Sequence, residues 1–72
     1  MKNLFDLKVG EKGVIKKLLT TSSMRRRFLD IGLIEGTTVD CVGQSPGGDP
    51  KAFLIRGAVI AIRSKDCKNI LI

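Results

Sequence analysis

Apolar positions along this chain come in short alternating bursts broken by glycine and proline, and in one place only at helical spacing. Val14 Ile15 Lys16 Lys17 Leu18 Leu19, after Gly13, predicts a first strong strand. Thr37 to Gln44 predicts a second, with Thr37, Val39 and Cys41 on one face and Thr38, Asp40, Val42 and Gln44 on the other. Lys51 to Ile55 and Ala58 to Arg63 read as two more strands joined at Arg56 Gly57, where the glycine supplies the positive φ of a two-residue hairpin. Asn69 to Ile72 predicts a last strand, preceded by a single helical or 3-10 turn at Ser64 to Lys68 that Ser64 can cap. At the other end, Leu4 and Leu7 are expected to pin their segment to the core, and the turn-rich Ser45 to Pro50 is expected to be an exposed, mobile loop.

Between Met24 and Ile31 the period lengthens. Met24, Phe28 and Ile31 recur at helical spacing, Ser22 or Ser23 can cap the first turn, and Gly32 can end the helix in the left-handed region. The helix is expected to be very short, with Arg25, Arg26 and Arg27 in its first turn. Cations there oppose the helix dipole by about 0.3–1 kcal/mol each when exposed. Leu29 to Gly32 and Leu33 to Gly36 look like a doubled unit, but each glycine is read as ending a different element, the helix first and then the turn before the next strand. About five strands and one short helix make a mainly β chain with the count of a small SH3-like barrel, in a single domain over residues 1–72. Closure into a barrel removes open edges in a chain with little core to spare.

Thirteen Lys and Arg against seven Asp and Glu give a net charge of +6, which favours acidic partners. The longest purely apolar run, Ala58 to Ile62, is far below the roughly 20 residues of a membrane helix. The opening residues lack a secretory pattern, so cytoplasmic residence is the expectation. Cys41 and Cys67 are then expected to be reduced thiols serving as small apolar side chains, with a disulfide or a metal site as the alternative. With no histidine, no nucleophile motif and no phosphate-cradling loop, the chain is not expected to be an enzyme or to take a small-molecule substrate.

The run Arg26 Arg27 Phe28 Leu29 Asp30 Ile31 Gly32 Leu33 Ile34 Glu35 Gly36 Thr37 resembles the central motif of the FeoA family. Leu4 and Leu7 leading to Gly10 and Gly13, the Gly48 Asp49 Pro50 loop, and Arg56 Gly57 before an apolar strand extend the resemblance over nearly the whole chain. Phe28 and Ile31 stand where the family usually has leucine, and Glu35 where it commonly has proline. A similar domain forms the C-terminal module of some metal-dependent repressors. The resemblance implies an SH3-like barrel that assists bacterial ferrous iron uptake by working with FeoB, a membrane transporter with a cytosolic GTP-binding domain. Any relation to the membrane would then run through that partner.

Arg25, Arg26, Arg27, Leu33 and Ile34 are the candidate partner-binding residues, as an apolar contact with a cationic rim. The alternative is a solvated helix face in which Arg26 pairs with Asp30. An arginine finger acting on a partner's nucleotide is chemically allowed, but no residue distinguishes it from a surface arginine. No cofactor is expected; for iron itself, Asp66, Cys67 and the distant Cys41 make a sparse ligand set. The competing reading is a basic small-barrel module that binds nucleic acid or regulates in response to metal. Three Phe with neither Trp nor Tyr argue against a base-stacking surface and against a groove for proline-rich peptides.

Overall fold

In the computed structural model, which describes residues 2–20 and 22–72, a two-residue turn folds the chain back at Arg56 and Gly57. Arg56 joins Gly57 at positive φ, 50° and 84°, the backbone twist that matches a hairpin to its strands. The described residues form six strands: β1 (Lys12–Val14), β2 (Lys17–Leu18), β3 (Thr38–Gln44), β4 (Lys51–Ile55), β5 (Ala58–Ile62) and β6 (Ile70–Leu71). Helix α1 (Ser22–Asp30), a one-turn helix α2 (Ser64–Cys67) and a 3-10 turn at Leu4–Asp6 complete the set. One antiparallel sheet has the order β1-β3-β4-β5, and β2 pairs with β6 in a second. The fold is mainly β, as expected, with one strand more than the pattern counted.

The extra strand comes from the expected run Val14–Leu19, which is not continuous. Ile15 N–H donates to the Thr37 carbonyl at 2.9 Å, whereas the next amide, Lys16 N–H, donates to the Leu71 carbonyl at 2.8 Å. The chain therefore changes partner and sheet between these two residues. Ile15 and Leu18, three apart, are buried, while Val14 and Leu19 face solvent. A straight strand would have placed Ile15 and Leu19 on the same side.

One core cluster lies between the two sheets and α1, with Phe53, Ile55, Val39 and Cys41 at its centre. Val39 is paired with Ile55 and Cys41 with Phe53, so the inward faces of β3 and β4 coincide as the alternation predicts. The same inward row contains Lys51, which is buried. Its Nζ donates to the carbonyls of Phe5 at 2.7 Å and Leu7 at 2.9 Å and stands 4.6 Å from the Phe5 ring centroid. Those bonds replace the water a buried ammonium loses. Asn3 and Asp6 close a capping box around the 3-10 turn, and this holds Leu4 and Leu7 in the core as expected.

The Ser45–Pro50 loop is tied down rather than free. Asp49 Oδ1 accepts the Ser64 backbone N–H at 2.8 Å, and the Ser64 hydroxyl donates to Asp49 Oδ2 at 3.1 Å. Ser64 is thus the first residue of α2 and not its cap, a position held by Arg63 without a side-chain bond. The carboxylate that meets the first turn comes from the loop fifteen residues away.

Candidate partner-binding surface

Helix α1 is longer at its start than the spacing implied. Ser22 and Ser23, expected as caps, lie within it, and position 21 falls outside the described residues. The shift takes Arg26 and Arg27 out of the first turn and puts Arg27 in the last, where a cation is favoured by the helix dipole. Arg25 Nη1 donates to the Leu18 carbonyl at 3.3 Å and ties the helix to β2. Arg26 and Arg27 are exposed. The expected Arg26–Asp30 pair does not form; the ion pair seen among the described residues is Arg63 Nε to Asp66 Oδ2 at 3.8 Å.

Leu33 is fully buried and cannot touch a partner, which corrects its place in the candidate surface. The cause is the way α1 ends. Gly32, at φ +89°, donates its N–H to the Leu29 carbonyl at 3.0 Å, and Leu33 N–H reaches the Phe28 carbonyl at 2.8 Å. This is the Schellman pattern, in which the second residue past the helix packs its side chain against the last turn. Leu33 accordingly shares the core cluster with Phe28. The signal was present in the sequence: an apolar residue directly after the stop glycine, five beyond Phe28. Ile34 stays exposed, as do Leu29 and Ile31, so apolar surface adjoins the arginines without Leu33. Gly36, at φ +88°, ends the following turn, so the two glycines do serve separate elements.

Beside this surface runs an open groove of about 400 Å³. Met24, Arg27, Phe28 and Asp30 of α1, with Ile31 just past its end, form one wall, and Ile60, Ala61 and Ile62 of β5 form the other. Arg63 and Asp66 close one end. Neither β5 nor Arg63 stood out in the sequence, because an alternation pattern does not reveal which strand lies at a sheet edge.

Cys41 and Cys67 are both buried free thiols. Burial pushes the Cys67 thiol up to about 12, with Asp66, Asp49 and Cys41 adding to the rise and Lys51 opposing it. Its Sγ lies 3.6 Å from the Ile62 carbonyl. Such a thiol stays protonated at neutral pH and is a poor nucleophile and ligand. Among the described residues no three His, Cys, Asp or Glu side chains converge as metal ligands, and no helix is long and apolar enough to cross a membrane. The chemistry on offer is recognition by exposed guanidinium groups beside apolar surface.

Among curated proteins none matches the sequence significantly. In structure, the chain is similar to FeoA of Chlorobium tepidum, with a TM-score of 0.90 and 26% identity over 96% of this chain and 66% of that one. It is also similar to a FeoA-like protein of Clostridium acetobutylicum, at TM-score 0.85 and 30% identity over 96% of this chain and 80% of that one. The zinc-complexed FeoA of Stenotrophomonas maltophilia, described as an SH3 domain protein and a candidate activating factor for bacterial ferrous iron transport, aligns at TM-score 0.80 with 23% identity over 99% of this chain and 88% of that one. At that identity the last comparison speaks for the barrel alone. The FeoA domain pattern itself matches residues 2–72, so with motif, barrel and neighbours in agreement the chain belongs to the FeoA domain family, which is associated with ferrous iron transport.

Proposed function

We propose that this protein is a cytoplasmic, non-catalytic accessory protein of ferrous iron uptake that acts by contact with the GTP-binding domain of a FeoB-type membrane transporter. The observation that carries the reading is the exposed pair Arg26 and Arg27 on α1, without a carboxylate partner among the described residues and with exposed Leu29 and Ile31 three and four residues further on, at the same end of the helix. Arginine on a rigid helix presents a planar fork to carboxylates, and adjacent apolar surface adds desolvated contact. Arg25 serves the contact indirectly, by fixing the helix to β2. Iron is cargo in this scheme and passes through the partner.

The test is an NMR titration of the labelled protein with the transporter's soluble GTP-binding domain, run beside duplex DNA and, without oxygen, ferrous iron. Shifts centred on Arg26, Arg27 and Ile34 with the GTP-binding domain alone are expected. Salt-sensitive shifts on unrelated duplexes, with none from the transporter domain, would replace this reading with nucleic-acid binding.

A further inference from the structure

Among the described residues strand β5 ends its sheet, with β4 on one side and no strand on the other. The two-residue turn makes Ile55 and Ala58 the closing hydrogen-bonded pair, and alternation gives Phe53–Ile60 and Lys51–Ile62 the same role. The backbone groups of Val59 and Ala61 therefore point away from β4. No hydrogen-bond partner meets them among the described residues. The groove beside α1 lies along this edge, because Ile60, Ala61 and Ile62, successive residues from both faces of the strand, all line it.

Natural edges are usually guarded by a charge, a proline or a bulge. Ala58 to Ile62 contains none of these, and Val59 is 65% exposed. The charges around the groove set the chemistry of what could dock there. Arg27 is exposed on one wall, and the Arg63 side chain is 66% exposed at the end, whereas its partner Asp66 is only 15% exposed. Asp30 is the one exposed carboxylate of the lining, against two guanidinium groups.

We propose that the β5 edge binds an extended segment of a partner protein that alternates apolar residues with carboxylates, added as a further strand of the sheet. Backbone N–H and C=O groups of Val59 and Ala61 would pair with the segment, its apolar side chains would enter the groove, and its carboxylates would reach Arg27 and Arg63. A polyproline segment lacks the N–H donors that such pairing needs. This inference rests on the reading that the chain works through protein contact, and it names the form of one contact.

The probe is a capped octapeptide of alternating valine and glutamate, added to the isotope-labelled full chain. Expected are shifts and slowed hydrogen exchange at the Val59 and Ala61 amides, with affinity about tenfold weaker in Arg27→Glu. Ala61→Pro should abolish binding with the spectrum otherwise retained, since the N–H it removes is outside the β4–β5 ladder. Arg27→Glu, at an exposed position, keeps the test independent of how that proline is tolerated. No shift at Val59 and Ala61 up to millimolar peptide, equal binding of a valine–lysine peptide, or exchange protection that grows with protein concentration alone would each overturn the proposal. If the peptide fails while the transporter domain still shifts Arg26 and Arg27, strand addition falls and the partner reading stands; if both fail, both fall.

Discussion

The Schellman ending of α1 draws Leu33 back over Phe28 and leaves Ile34 at the surface, so two adjacent apolar residues of similar size have opposite energetic weight. Leu33→Ala should lower the free energy of unfolding by about 2–5 kcal/mol in urea titration, while Ile34→Ala stays within about 0.5 kcal/mol. A Leu33→Ala cost near that of Ile34→Ala would contradict the burial. Cys67 has its own signature in pH. Its thiol titrates at about 12 in the folded chain against an ordinary value of 9.0. Below that ordinary value both folded and unfolded chains keep the proton, and the contribution is level. Above it the unfolded chain releases a proton that the folded one retains, so stability is lost as pH rises towards 12. Urea unfolding between about pH 8 and 10.5 should show a steeper alkaline loss for the wild type than for Cys67→Ala.

Among the elements, α2 shows most plainly how distant residues complete a local structure. A four-residue helix has almost no stability of its own, and the carboxylate of Asp49 meets its first backbone N–H and its first hydroxyl together. Asp49→Ala should destabilise the protein by about 0.5–2 kcal/mol, with the amides of Ser64 to Cys67 losing exchange protection first. Loss spread evenly over the sheet would contradict this assignment. Much of the element list was legible in the chain: the β4–β5 hairpin from Arg56 Gly57, β3 with its inward Val39 and Cys41, and α1 with its stop at Gly32. The break between β1 and β2 was not legible, because Ile15 and Lys16 differ in which strand they face and not in their intrinsic preference. Lys51 was hidden for a related reason. Only the carbonyls of Phe5 and Leu7, more than forty residues away, make burial of its ammonium tolerable.

At the scale of the whole molecule, a net charge of +6 surrounds the proposed contact surface with its exposed Arg26 and Arg27. Charge of one sign speeds encounter with an acidic partner, and salt screens it over about 10 Å at 0.1 M. Association with the transporter's GTP-binding domain should therefore slow several-fold between about 0.05 and 0.3 M salt. The doubly substituted Arg26→Glu, Arg27→Glu chain should bind more weakly and lose most of that salt dependence. Salt-independent association of the wild type would shift the weight of the interface from the arginines to apolar contact alone.

The sequence by itself determined the architecture. Strand alternation, the two stop glycines at 32 and 36 and the Arg56 Gly57 turn are local rules of sterics and periodicity, and they specify a small mainly β barrel whatever lies beyond. It also determined a cationic helix and, through the motif from Arg26 to Thr37, the family. Tertiary structure decided which of those residues remain available. Burial took Leu33 and Lys51, a carbonyl of β2 engages one nitrogen of the exposed Arg25, and among the described residues the end of the sheet leaves β5 without a further strand beside Arg27. Availability depends on groups brought together from far apart in the chain, and no local pattern of side chains encodes which backbone edge is left without a neighbour.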